Sequence, residues 1–403
     1  MVTEKKKIRL LQLSDVVLDA RLSFKGLEMT ASKRHERNVE ALEAVLSLCE
    51  LAGQSQPDAV LIVGNLWDSQ AVTAATVARL AEAFAALGDT PVVICPGASD
   101  PYNAQSFYDP GVLAAFAIRP WSKNVHIFSN PEHSGWISPT RPDVCFIGRA
   151  CKGSTARVAP PKAVNPVSAT CLIRLEYDGQ SIMKLESEMH DDFAYTAFGG
   201  TKNFCEIIGG DGAVRGASTG TLIGRTVDET GPRTALWVGL TPTADGVGYT
   251  TTIDRIPADK RQLIPVSVNI NGIKAQNVPE HIRKAVDVSP VRPSDLLLLK
   301  VAGIYPADSV PDFGLAALQK EHFHVILADS TRPDYYLDKL DPRTTEGRFI
   351  QSLQDLKVQA DARGGTVQST KYGINLTSSM IEDALYYGLD ALNQKKVVVP
   401  DVD

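Results

Sequence analysis

Four segments of this chain share one pattern: an apolar run of strand length that stops at a turn bearing polar residues. They are Ile8–Val17 (IRLLQLSDVV), Ala59–Asp68 (AVLIVGNLWD), Pro91–Asp100 (PVVICPGASD) and Ala194–Lys202 (AYTAFGGTK). A short continuous apolar run bounded by turn formers reads as a strand buried on both faces. In α/β sheets the ligand crevice lies outside the carboxyl ends of the strands, so these four tips are expected to converge on one site. The polar residues at the tips then decide what that site can do.

Between the tips lie helices. Val39, Leu42, Val45, Leu46 and Cys49 recur at helical spacing, which predicts a helix over 32–52 with Gly53 as its stop. An Ala-rich amphipathic stretch over 73–87, closed by Gly88, predicts a second. Strand, helix, strand, helix, strand at this spacing implies parallel pairing. Further strands are expected at 125–128, 144–148, 171–176, 194–198, 205–208, 234–240 and 248–256, with a proline-rich excursion at 152–167. The pattern restarts near Gln262: strands at 263–270, 296–301 and 324–327 alternate with helices at 279–285 and 313–321. Two amphipathic helices, 345–359 and 378–393, end the sequence.

A chain of 403 residues is too long for one simple core. Net charge of −6 makes the bulk field repel nucleic acid, and the short basic stretches Lys5–Lys7 and Lys33–Arg37 read as solvated surface. Six cysteines at 49, 95, 145, 151, 171 and 205 contain no C-x-x-C pair, which fits reduced, cytoplasmic usage rather than a disulfide framework or zinc knuckle. The first apolar run breaks at Ser14-Asp15, so no signal peptide is expected, and no apolar run reaches the roughly 18 residues of a membrane span.

The four tips, in this order and spacing, resemble the calcineurin-like metallophosphoesterases, and more narrowly the SbcD-type nuclease subunits and their YhaO-like relatives. Arg37–Ala41 with its helix, Asn124–Phe128, Gly148-Arg149 and Gly220–Pro232 sit where that family has similar wording. Arg261, followed by a new α/β pattern, looks like the family's passage into its capping domain. The resemblance covers about residues 8–330. It implies a metallophosphoesterase-like α/β/β/α sandwich over 1–258, a small α/β capping domain over 259–332 and a C-terminal helical segment over 333–403.

The tips depart from that family where its chemistry resides. The family's first tip is Asp-x-His; here Asp15 stays and Val17 replaces the histidine. Its second is Gly-Asp-x-x-Asp, whose first aspartate bridges two metals; here Asn65 takes that place and Asp68 is kept. Its third is Gly-Asn-His-Asp, the amide a metal ligand and the histidine a general acid; here Ala98 and Ser99 replace both, and Asp100 remains. Its last, Gly-His-x-His, reads Gly199-Gly200-Thr201-Lys202. A further family histidine, near Ile173–Glu176, is missing as well. A two-metal centre holds its ions about 4 Å apart and needs anionic or imidazole donors against four positive charges. Asn65 cannot bridge two cations as a carboxylate does, because its NH₂ only donates. Changing a residue that merely orients a ligand typically loses about 10–100-fold in affinity or activity. Losing nearly every ligand should abolish binding.

The expectation is therefore a catalytically inactive or strongly impaired subunit with no metal cofactor, where the family carries two Mn- or Fe-type cations. Asp15, Val17, Asn65, Asp68, Ala98, Ser99, Asp100, Gly200 and Lys202 are read as vestigial positions, none of them catalytic. The resemblance implies a homodimer and a coiled-coil ATPase partner of the structural-maintenance-of-chromosomes type, through which DNA could be reached; the lack of a long apolar run implies no membrane partner. One alternative is an active nuclease or phosphodiesterase with a non-standard site on Asp15, Asp19, Asp68 and Asp100. Another is a protein–protein adaptor unrelated to DNA, consistent with the acidic charge. The plain readings are that Asp15 bonds backbone N–H groups at its strand tip, that Asp68 caps or orients its loop, and that Lys202 either pairs with Asp15 or points to solvent. None of the histidines at 35, 126, 133, 190, 281, 322 and 324 falls at a family ligand position; His322 and His324 are expected on one face of a strand. The glycine-rich stretches 209–212 and 216–220 lack the Lys-Ser/Thr of a P-loop and read as turns.

Overall fold

The computed structural model describes residues 6–20, 29–151, 169–177, 193–306, 308–337, 341–368 and 374–393. The chain forms two compact units, 1–263 and 264–403. The proline-rich stretch 152–167, His190 and Lys5 lie outside the described residues.

In the first unit, β1 (Ile8–Ser14), β2 (Ala59–Val63), β3 (Val92–Cys95) and β4 (Val125–Ile127) pair in parallel, and β11 (Thr234–Pro242) and β12 (Tyr249–Pro257) add antiparallel beside β1. A second sheet runs β5 (Ser134–Ile137), β6 (Val144–Gly148), β7 (Cys171–Tyr177), β8 (Tyr195–Gly199), β10 (Val214–Ser218), β9 (Cys205–Ile208), parallel except at its two edges. The two sheets share one apolar interior: Leu10, Leu61, Val93 and Val238 from the first meet Phe146, Ile173, Leu175 and Ala217 from the second. The opposite face of the first sheet, with Leu11, Leu13, Ile62 and Ile94, is covered by α1 (Ala31–Ser55) and α2 (Ala74–Ala86) through Val45, Leu48, Leu80 and Phe84. Both faces of the central strands are thus buried, which is why their sequences read as near-continuous apolar runs. The fold is a mixed α/β sandwich of two parallel-rich sheets, the class expected.

Gln12 carries a polar side chain into the interior between the sheets. Gln12 on β1 donates to the Ala217 carbonyl at 2.9 Å and accepts from the Tyr195 hydroxyl at 2.6 Å, so it ties the first sheet to the second without leaving an unpaired group. The glycine-rich stretch 216–220 corrects the turn reading: Gly216–Ser218 belong to β10, because Gly216 packs so close to the Thr196 carbonyl that an added Cβ would lie 2.5 Å from it. The stretch 209–212 is the turn joining β9 and β10. The short helix α3 (Pro110–Ala115) has too few residues for a periodicity to register.

The α1 N-terminal turns are fixed by charge. Arg37, fully buried, donates two bonds to Asp259 at 2.8 and 2.9 Å, one to Glu40 at 2.9 Å and one to the Gly224 carbonyl at 2.9 Å. Arg261 reaches back to Glu40 at 2.7 Å and pairs with Glu36. Two helix-borne glutamates and Asp259 thereby neutralise two arginines.

In the second unit, β13 (Leu263–Asn269), β14 (Leu296–Pro306) and β15 (His324–Asp334) form a three-stranded sheet, its last pair parallel over eleven residues. Val278, Ile282 and Val286 of α4 (Val278–Asp287), spaced i, i+4, i+8, pack on Leu297, Leu299 and Val301; α5 (Leu315–Glu321) adds Leu318. His322 and His324 do not share a strand face: His322 caps α5 and only His324 is in β15. The α6 helix (Thr345–Ala362) packs against α7 (Ser378–Leu392) through Ile350, Leu385 and Leu389, with a small hairpin, β16 (Thr366–Gln368) and β17 (Asn375–Thr377), between them. No helix among the described residues is long and apolar enough to cross a membrane.

Arg37→Met should cost about 3–5 kcal/mol in urea denaturation, because it leaves Asp259 buried without its guanidinium and Glu40 with only one of its two. A loss under about 1 kcal/mol would show that the network contributes nothing net.

Candidate functional site

The first-sheet tips and the end of β8 converge as expected. The backbone after β1 leaves the strand through three left-handed residues, Asp15 (φ 49°), Val17 (φ 48°) and Asp19 (φ 59°), none of them glycine. For a β-branched valine this is costly, on the order of 1–3 kcal/mol, and it persists only because neighbours hold it. They do: Asp15 N–H donates to the Gly64 carbonyl, Val17 N–H to Asn65, Leu18 N–H to Leu66, and Asp68 N–H back to Leu18. The first two tips are laced together like one more turn of sheet.

The side chains then close the centre. Asp15 accepts from Asn65 Nδ2 at 2.8 Å and from the Gly200 N–H at 2.7 Å, so both of its oxygens are occupied. Asn65 Nδ2 also donates to the Tyr177 hydroxyl at 2.8 Å, and Asn65 Oδ1 accepts from Ser99 N–H and Oγ at 2.9 and 2.8 Å. The Tyr177 ring lies directly over Gly64 (φ +73°), where a Cβ would come within 2.1 Å of it, so only glycine fits there. Tyr177 was not among the residues singled out from sequence, although it directly follows the Ile173–Glu176 run that lacks the family's histidine. Its place in the centre follows from the β7–β2 approach, which no local pattern reports.

Asp100 lies on the far side of Asn65 and has a different task. Fully buried, it accepts from the backbone N–H groups of Asn65 (2.9 Å), Leu66 (2.7 Å) and Gly97 (2.6 Å) and from the Tyr108 hydroxyl (2.7 Å). It is the clamp between the second and third tips. Asp19 accepts from Thr73 N–H at 3.0 Å and Thr76 Oγ1 at 2.6 Å, at the start of α2, and Asp68 accepts from Gln70 N–H at 3.0 Å within its own turn. The four aspartates of the active-enzyme alternative therefore serve four separate structural duties. Ala98 is exposed, and its backbone hydrogen-bonds Tyr177. Lys202 pairs with Asp228, both side chains largely exposed. Arg225 donates to the Asp15 and Val17 carbonyls at 3.2 Å each, and its charge acts on the Asp15 carboxylate. Beyond Tyr177, Glu176 is buried and held by His133 (2.6 Å), Arg149 (2.6 Å) and Arg174 (2.8 Å).

Electrostatics follow from burial. Loss of water pushes the Asp15 carboxyl up to about 6, against the hydrogen bonds from Gly200 and Asn65. Burial likewise pushes Asp100 up to about 6, against its four donors. Burial and then the Asp15 charge push the Tyr177 phenol up to about 12. Glu176 goes the other way: burial raises it, but His133, Arg174 and Arg149 outweigh that and hold it at about 2.

The donor set does not fit a pair of divalent cations. One carboxylate, with both oxygens already accepting, and one amide face the centre, against four positive charges. Among the described residues no group of three or more His, Cys, Asp or Glu side chains is placed to hold a metal ion. What the arrangement does is satisfy itself.

No family model matches the chain, and no curated protein matches it. Among solved structures it is similar to a 5'-nucleotidase precursor from Thermus thermophilus, at 10% identity and a TM-score of 0.37. The match covers 63% of this chain and 55% of that one, so the chain spans little more than half of that protein's length. A likeness of that size carries no inference about activity.

Two outcomes are expected. Asp100→Ala, which orphans three backbone N–H groups and a hydroxyl, should lose about 3–5 kcal/mol, and Tyr108→Phe about 1 kcal/mol, in urea denaturation. The raised carboxyls set a pH dependence as well. Between the unfolded value of 3.8 and about 6 the folded state holds the Asp15 and Asp100 protons more tightly than the unfolded chain does. Their contribution is thus full below pH 4 and is lost as pH rises through 6, on the order of 3 kcal/mol each. Glu176 has the opposite sign: its contribution is present above pH 4.5 and is lost as pH falls towards 2. The urea midpoint should therefore rise on acidification from pH 7 to about 4.5, and Asp15→Asn should flatten that rise. An unchanged slope in Asp15→Asn would show that Asp15 titrates alike folded and unfolded.

Proposed function

We propose that this chain is a non-catalytic subunit on a metallophosphoesterase-like scaffold, related to the SbcD type, which holds partners rather than cleaving a phosphodiester. The single observation that carries the reading is Asn65. It stands where the resembled family has its metal-bridging aspartate, and its carboxamide is spent entirely on neighbours. The expected partner is a coiled-coil ATPase of the structural-maintenance-of-chromosomes type, with a second copy of this chain, in the cytoplasm, and with DNA engaged through the complex. In this reading residues 259–332 form the capping domain and 333–403 the helical segment that meets a partner. The net charge of −6 favours one further reading, an adaptor that never meets DNA.

Purified protein should carry no stoichiometric Mn, Fe or Zn by elemental analysis, and should not hydrolyse duplex DNA or bis(p-nitrophenyl) phosphate with Mn²⁺ added. One equivalent of tightly held metal, or cleavage that disappears in Asp15→Ala, would overturn the proposal. Co-purification of a coiled-coil ATPase from the native host, with DNA retained only in its presence, is the outcome expected for the DNA-processing role; a partner set without it supports the adaptor.

A further inference from the structure

Asn65 uses every hydrogen-bonding group it has. Its backbone N–H donates to Asp100 and its carbonyl accepts from Val17. Both protons of Nδ2 are given away, to Asp15 Oδ1 and to the Tyr177 hydroxyl, and Oδ1 accepts from Ser99 N–H and from Ser99 Oγ, whose single proton it shares with the Trp67 carbonyl at 3.0 Å. The orientation of the amide follows from chemistry. Ser99 N–H can only donate, so the atom facing it is the oxygen, and the nitrogen must face Asp15. One residue on the second tip thereby touches the first tip, the third tip and the end of β7, and reaches the last tip through the Asp15–Gly200 bond.

An aspartate at this place would set a carboxylate oxygen 2.8 Å from Asp15 Oδ1. Two like charges so close, and so little solvated, demand a cation or a shared proton between them. An amide demands neither, because it offers the carboxylate an N–H instead.

We infer that the Asn65 carboxamide takes over a cation's structural task, joining the strand tips into one unit that holds together without metal. The inference rests on the non-catalytic reading above but concerns cohesion, not activity. It is tested by melting wild type, Asn65→Asp, Asp15→Asn and the double exchange Asp15→Asn/Asn65→Asp in chelator at pH 7.5. Asn65→Asp should melt about 10 °C below wild type. In the double exchange the amide and carboxylate trade places across the same contact: the new amide oxygen still faces Gly200 N–H, and Ser99 still finds an acceptor. That variant should recover at least about half of the lost melting temperature, a coupling that two independent structural defects would not show. Should Asn65→Asp fail to fold, the soluble yield of the double exchange against the single variant reads the same coupling. Asn65→Asp melting within about 2 °C of wild type, or a double exchange no better than Asn65→Asp, would overturn the inference and leave the non-catalytic reading standing. A wild-type melting temperature that rises by several degrees with Mn²⁺ would instead overturn that reading.

Discussion

A carboxylate taken out of water has to be met by donors, and this molecule's first unit is arranged around meeting two of them. Asp15 and Asp100 sit on either side of Asn65, one held by a side-chain amide and a backbone N–H, the other by three backbone N–H groups and a tyrosine hydroxyl. Backbone donors are available there because the strands have just ended and their ladders have no further partners to offer. The strained left-handed turns at Asp15 and Val17 are the conformational consequence, since only that path brings Asp15 under Gly200 and the Val17 N–H onto Asn65.

The same principle recurs elsewhere in the unit. Arg37 with Asp259 and Glu40, and Glu176 with His133, Arg149 and Arg174, are buried charges whose partners come from distant parts of the sequence. Such clusters add little net stability over well-packed apolar groups, yet each is severe to break, so they enforce one arrangement of α1, β7 and their loops rather than deepen it. The apolar interior between the sheets supplies the bulk of the driving force, and Gln12 with Tyr195 sets how the two sheets register.

For function, the consequence is that shape and chemistry separate. The sandwich, its strand order and the convergence of its tips do not require the tips to bind anything, because the sheets are held by burial. A chain can therefore keep the scaffold while its mouth is rewritten, provided each rewritten group finds a partner. Asn65, Ser99 and Gly200 form a self-consistent set: the Asn65 Nδ2 protons, the Ser99 N–H and hydroxyl and the Gly200 N–H each face an acceptor.

Much of this was legible in one dimension. Apolar period and turn formers placed β1 to β3, α1 and α2, the restart near Gln262 and the closing helix pair within a few residues, because local sequence encodes which faces are buried. The spacing of polar residues after the apolar runs also named Asp15, Asn65, Ser99 and Gly200 as neighbours, since strand ends in a parallel sheet lie side by side. What the residues at those tips do to one another was decided only in three dimensions. Asp100 turned out a clamp and Asp19 a bond to the start of α2; Tyr177 entered the centre from a strand of the other sheet. Hydrogen-bond direction and the approach of β7 to Gly64 depend on contacts between segments more than a hundred residues apart, and no periodicity carries those.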